Sequence, residues 1–485
     1  MDSAVLLTQK NIRMSCKLWP PSQGTRLLFI ERITKNLTTP SIFSRKCGLL
    51  SWIEAEIDAK QIEESAFHYA NEHHKNKPFS DGSSSILLYA KRSSKFMLEV
   101  LKRGPTVRDN ATLEITEDLN RETVFDFSGG RWSFIDADEA VELVKPLRRP
   151  GNTYSRICFS NASFGVGAAR VFQPILSSLR SQLKEVDLSD FIASRPEAEA
   201  LEVMGIIASA LEGCQLRYLD LSNNALGEKG IKAFEPLLKS QNNLEELYLI
   251  NDGISEEAAR AVNELIPSTQ KLKILHFHSN MTGDNGAIAI SEIVRRSPLL
   301  EDFRCSSTRV GVEGGIKLAE SFVTCTHLRK LDLRDNMFGV EAGLALSKTL
   351  NKLVNIAEIY LSYLNLEDEG AEALSIALKE SAPSLEILDM AGNDITVKSA
   401  SALANCIASK QFLTKLNLAE NELKDDGAVL IAKALEEGHG QLSEVDMSCN
   451  LIRNAGARQL AHAVFNKPGF KILNINGNYI SDDVI

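Results

Sequence analysis

A nine-residue phrase returns along this chain at a nearly constant step, and that recurrence restricts the possible folds more than any other feature. Residues 216 to 224 read LRYLDLSNN, with apolar residues at the first, fourth and sixth places. Equivalent phrases begin at Tyr154, Leu183, Leu216, Leu244, Leu272, Leu300, Leu328, Ile356, Leu385, Leu413, Leu442 and Phe470, and from Leu216 onward every step is 28 or 29 residues. Side chains alternate faces along a strand, so the fourth and sixth places, as in Leu219 with Leu221 or Leu331 with Leu333, share one inward face. The ninth place holds asparagine at Asn224, Asn280, Asn336, Asn393, Asn421, Asn450 and Asn478. There the chain leaves the strand, and an amide satisfies backbone groups that have no ladder partner. An apolar residue follows each turn (Leu226, Ile254, Phe338), and then an alanine-rich segment such as residues 343–350, read as a helix.

No such unit buries its own strand and helix, so neighbours must stack. The period and consensus are those of the leucine-rich repeat of the longer, ribonuclease-inhibitor-like kind. The expected fold class is therefore α/β: a solenoid of about 12 units over residues 151–485, a crescent with parallel strands inside and helices outside. A chain of 485 residues exceeds what one compact core organises, whereas a solenoid grows by adding units.

Residues 1–104 carry 16 Lys and Arg against 10 Asp and Glu, and the rest carry 38 against 54. An acidic array argues against nucleic acid, whose phosphates need cationic surface, and suits a partner with a basic face. The 8 cysteines are scattered singly, as expected of reduced thiols, and no pattern of metal-ligand spacing is present. No apolar run reaches the ~18 residues of a membrane span, and no secretory leader is expected. Phosphate-binding, serine-nucleophile and zinc-protease motifs are absent, so no cofactor, metal or catalytic site of its own is expected. His276 and His278 share the concave side, with no carboxylate or cysteine evident to complete a ligand set.

Residues 1–17 show no period and are expected to be a flexible lead. Residues 18–104 read as a small all-α domain with helices over 25–36, 53–74 and 83–103. Their inward stripes are Phe29, Ile33 and Leu37, then Ala55, Ala59, Ile62, Ala66 and Tyr69, then Leu87, Ala90, Ser94, Met97 and Leu101. A loop is expected over 77–84. Residues 105–150 read as linker and N-terminal cap of the solenoid, with a strand at 123–127 and a helix at 136–147.

Trp19, Pro20 and Pro21, the segment from Thr39 to Arg45 and the helices around it resemble the plant WPP domain. Followed by leucine-rich repeats, this order of parts resembles the plant Ran GTPase-activating proteins. The resemblance implies a protein that stimulates GTP hydrolysis within the partner's own site, supporting nucleocytoplasmic transport, with Mg and GTP belonging to Ran-GTP. It also implies that Trp19, Pro20 and Pro21 target the chain to coiled-coil proteins of the nuclear envelope. The implied location is the cytoplasm and cytoplasmic envelope face, and the cell plate or spindle in dividing cells. Family members resembling this chain carry a further acidic tail, so its absence after Ile485 is read as a truncated chain or a truncated gene model, with both alternatives open.

Two irregularities align with residues that matter in this family. The second unit takes 33 residues to the next start, and its loop holds Arg195; in the fourth unit Asp252 takes the ladder place and Asn251 precedes it, expected to face out at the rim. On the resemblance, Arg195, Asn251, Asp252 and Asn224 form the GTPase-contacting or activating set. Fungal members of the family place a lysine two residues beyond the arginine, where this chain has Glu197. Tyr218, Asp220, Glu246, Tyr248, Arg304, Lys330, Asp332, Arg334 and Tyr360 are further outward strand candidates. The alternative reading is a protein-binding scaffold or immune adaptor without effect on GTP turnover.

Overall fold

The computed structural model describes residues 19–21, 23–38, 50, 52–75, 83–103, 123–126, 128 and 133–481. The expected lead over 1–17, the segment from Thr39 to Arg45, most of the 77–84 loop and the linker before 123 lie outside them. Chain contacts divide the protein into two compact units, residues 1–120 and 121–485.

The first unit holds helices Gln23–Thr38, Trp52–Lys75 and Ser83–Arg103. Alanines at 55, 59, 66 and 70 are fully buried with Ile62, so the middle helix presents a small-residue stripe that neighbours approach closely. Ala70 takes the place expected of Tyr69, which is 48% exposed beneath the Arg92 guanidinium at 4.7 Å. The third helix also differs from expectation. Leu87 is 72% exposed and Ala90 and Ser94 face solvent, while Ser85, Tyr89 and Ser93 turn inward. A buried carboxylate sets this rotation: Glu63 accepts from Arg26 Nε at 2.7 Å, Arg26 Nη2 at 2.8 Å and the Tyr89 hydroxyl at 2.6 Å. A buried charge must be paired, and that requirement overrides an apolar count. Trp19, expected as a docking contact, is 2% exposed, stacks on Phe67 at 5.2 Å and donates to Asn71 Oδ1 at 3.3 Å. It is a core residue, whereas Pro20 is exposed.

The second unit is a leucine-rich-repeat solenoid. Thirteen short strands, from Val124–Asp126 to Ile472–Asn474, form one sheet in chain order. All pairings are parallel and in line, so Asp220, Tyr248, His276, Arg304, Asp332 and Tyr360 sit side by side. The strand expected at 123–127 is the first of them, paired with Arg156–Cys158. The helix expected at 136–147 is shorter, Ala137–Leu143, opened by a capping box between Asp136 and Glu139. A second sheet, unforeseen, pairs Ser133–Ile135 with Ala162–Phe164.

The fourth and sixth places are sealed: Leu219, Leu221, Leu331 and Leu333 are 0% exposed. The ninth-place asparagines from Asn224 to Asn450 are buried as well, and Asn478 in the last unit is half-buried. Asn393 Nδ2 donates to the carbonyls of Leu361 at 2.8 Å, Met390 at 3.1 Å and Ala391 at 3.1 Å, while its Oδ1 accepts from Leu364 N at 3.0 Å. The eighth place is left-handed in every unit from the third on, with φ between +53° and +62° at Asn223, Asn251, Ser279, Ser307, Asp335, Tyr363, Glu420 and Cys449, and with glycine taking it at Gly392 (φ +60°) and Gly477 (φ +71°). After the turns, Gly339 has φ +69°, and Gly456 leaves room that a Cβ would close to 2.7 Å from Asp425 Oδ1. Among the described residues the cysteines are free thiols, and no helix is long and apolar enough to cross a membrane.

Candidate functional site

The rim at the third and fourth units is built from two successive eighth places. Asn223 and Asn251 both take the left-handed backbone, at φ +62° and +54°, a conformation asparagine tolerates better than most residues. Both are exposed. Asn251 Nδ2 donates to Asn223 Oδ1 at 3.0 Å. Asn223 was not singled out from the sequence, although its 28-residue offset from Asn251 marks the same place one unit earlier.

Two of the expected contact residues lie beneath this pair. Asn224 is 3% exposed; its Nδ2 donates to the carbonyls of Leu188 and Leu221, both at 2.7 Å, and its Oδ1 accepts from Phe191 N at 3.0 Å. Asp252 is 0% exposed and its Oδ1 accepts from Asn224 N at 2.8 Å. Burial pushes the Asp252 carboxyl well above the usual carboxylate range, opposed by the Asn224 N–H. With side chains closed to solvent, both hold the turns in place.

Arg195 also lies deeper than a loop arginine free to reach a partner. Its side chain is 11% exposed. Nη2 donates to Ser163 O at 2.7 Å and Nε to Ser163 Oγ at 3.0 Å, while Nη1 pairs with Glu199 at 3.2 Å. The guanidinium lies 5.0 Å over the Phe134 ring. Gly165 makes this seat possible, since a Cβ there would come within 3.0 Å of Nη1. Glu197 pairs with the exposed Lys229 of the next unit at 2.5 Å. Lys229 thus sets an exposed cation beside Glu197.

A hollow of about 610 Å³ lies between the Arg195 loop and the Asn223 turn, lined by Ile192, Arg195, Glu197, Met204, Asn223, Leu226 and Lys229 among others. Asn223 thus touches both the hollow and Asn251.

On the strand face, charges are mostly tied to neighbours. Tyr218 and Tyr248 lie 5.4 Å apart, and Tyr248 meets His276 edge-on at 4.9 Å. Strand register brings Asp302 to His276 Nε2 at 3.2 Å, a carboxylate that the spacing did not reveal. It is not free to bind a metal, because Arg304 holds both its oxygens at 3.0 and 2.9 Å. Burial works against the Asp302 carboxylate, but hydrogen bonds from His276 and Arg304 outweigh it and hold its pKa at about 2. Arg334 similarly clasps Asp332 at 3.0 and 2.7 Å and lies 4.6 Å over Tyr360, while Lys330 pairs with Glu358 at 2.7 Å.

These features define a class: a leucine-rich-repeat protein with a small helical domain in front and a rim of exposed turn residues beside a parallel sheet. The family model described as the WPP domain matches residues 15–111, and the one described as Leucine Rich repeat matches 214–234, 324–347, 381–404 and 409–432. The chain is 65% identical over 484 residues to RAN GTPase-activating protein 2 of Arabidopsis thaliana, covering 99% of this chain and 89% of that one. It is 67% identical over 407 residues to RAN GTPase-activating protein 1 of the same plant, covering 84% and 75%. The front alone is 38% identical over 105 residues to WPP domain-containing protein 1 of Arabidopsis thaliana, covering 21% and 65%. The chain belongs to the plant family of Ran GTPase-activating proteins that join a WPP domain to leucine-rich repeats.

Proposed function

We propose that the chain is an activator of Ran that binds the GTP-loaded form along the N-terminal rim of the solenoid and stimulates hydrolysis in Ran's own site. The observation that carries this reading is 65% identity through 99% of the chain to a RAN GTPase-activating protein. Magnesium and nucleotide belong to Ran, and the activator supplies positioning and no catalytic site of its own. Asn251 is the residue that touches the partner. Asn224 and Asp252 act beneath it, and Arg195 orders the loop beside it in place of entering Ran's site as an inserted arginine.

The WPP domain places the protein on the cytoplasmic face of the nuclear envelope, and on the cell plate or spindle in dividing cells, through coiled-coil proteins. Since Trp19 is buried, the surface that docks is the outward face of Ser83–Arg103, where Ile86, Leu87 and Leu98 are exposed. The test of activity is GTP hydrolysis by purified Ran, with other small GTPases alongside. Acceleration confined to Ran is expected, and unchanged hydrolysis by Ran would overturn the reading.

A further inference from the structure

We propose that Asn223 is a positioning residue for Asn251, holding its amide so that Oδ1 faces the partner as an acceptor for an N–H donor. This rests on the reading of Asn251 as the rim residue that acts on Ran.

The backbone of both turns is already fixed. Asn223 N donates to Ile250 O at 2.9 Å, Asn251 N to His278 O at 3.2 Å, and Ile250 N to Ser222 Oγ at 3.2 Å. The buried residues below join the same two turns through Asn224 N and Asp252 Oδ1. What remains free at Asn251 is the side-chain torsions, and an exposed asparagine spreads over several staggered and amide orientations. The 3.0 Å bond to Asn223 Oδ1 selects one of them. The following eighth place holds Ser279, whose hydroxyl lies 3.4 Å from His278 Nδ1. With Nδ2 engaged, the Oδ1 of this exposed residue accepts from no group among the described residues. A fixed acceptor is complementary to a carboxamide or backbone N–H on the GTPase, and its rate effect depends on that geometry being held before the encounter.

The experiment is single-turnover hydrolysis by GTP-loaded Ran over a range of full-length activator concentrations, with Asn223→Ala, Asn223→Asp, Asn251→Ala and the double alanine variant, each also melted. Losing one exposed neutral hydrogen bond should lower the maximal stimulated rate about 5-fold in Asn223→Ala, with the half-saturating concentration unchanged. Asn223→Asp retains an oxygen for the same N–H and should keep the maximal rate within about 2-fold. The double variant should be no slower than Asn251→Ala, and melting midpoints should not move. A fully active Asn223→Ala beside a slow Asn251→Ala would overturn the positioning role. So would a change in half-saturating concentration alone, or an Asn223→Asp as slow as Asn223→Ala, which would make Asn223 the donor. A fully active Asn251→Ala would instead overturn the underlying reading of the rim.

Discussion

Asp252 stands at a place that seven other units give to asparagine, and the difference is one of hydrogens. Asn280, one unit on, sends Nδ2 to Leu249 O at 2.7 Å and uses Oδ1 to accept from Asp252 N at 2.9 Å. A carboxylate has no hydrogen to send, and Asp252 Oδ2 is buried with no partner among the described residues. A proton on Asp252 restores a donor, in keeping with its raised pKa. The folded chain then holds a proton that the unfolded chain releases near pH ~4, so stability is full below that pH and is lost as pH rises through the folded value. Asp252→Asn should abolish this slope and stabilise the array by about 1–2 kcal/mol at neutral pH. Melting both proteins between pH 4 and pH 8 checks it, and parallel curves would contradict the assignment. Arg195 makes a different prediction. Its removal strips the Ser163 carbonyl and Glu199 of their partner, so Arg195→Ala should lower the melting midpoint and cost far less than the ~10³-fold of an inserted catalytic arginine. A well-folded variant with a loss that large would restore the inserted role.

At the scale of the element, the repeat unit is held by its sealed strand leucines and its ladder amide. Leu331→Ala should destabilise the array by about 2–5 kcal/mol, since the cavity cannot collapse between neighbours fixed on both sides. Asn393→Ala should cost about 1–3 kcal/mol by leaving carbonyls and the Leu364 N–H unsatisfied, with activation of Ran falling only as folded protein is lost. Denaturant unfolding with a parallel activity assay checks both, and a neutral Asn393→Ala would count against the ladder. These elements could be read from the sequence because each has a period: Leu219 and Leu221 alternate, and Asn393 recurs. Asn251's exposure follows from the same count, one place before the ladder. Three features lacked any such signal. The inward turn of Tyr89 depends on Glu63 in another helix, the meeting of His276 with Asp302 depends on strand register, and the seat of Arg195 depends on Gly165 and Ser163 from the preceding unit. Each is a contact between segments 26 or more residues apart, which local periodicity does not encode.

For the whole molecule, we propose that a basic helical unit and an acidic repeat unit carry separate tasks, location and activation. Trp19→Ala should unfold the first unit, because it opens a cavity among Phe67 and Tyr89, and so it reports on folding more than on docking. Leu87→Asp changes a side chain that is 72% exposed and should release the protein from the nuclear envelope with helicity and Ran activation intact. Envelope staining that persists in a folded Leu87→Asp protein would place docking on another face. The central claim, that an exposed turn asparagine acts on a GTPase whose chemistry stays in its own site, is tested most directly by stimulated GTP hydrolysis of Ran with Asn251→Ala. The variant should melt at the same temperature as the parent and stimulate at least ~10-fold less, equivalent to ~1.4 kcal/mol at the transition state. Full stimulation by a well-folded Asn251→Ala protein would contradict the account.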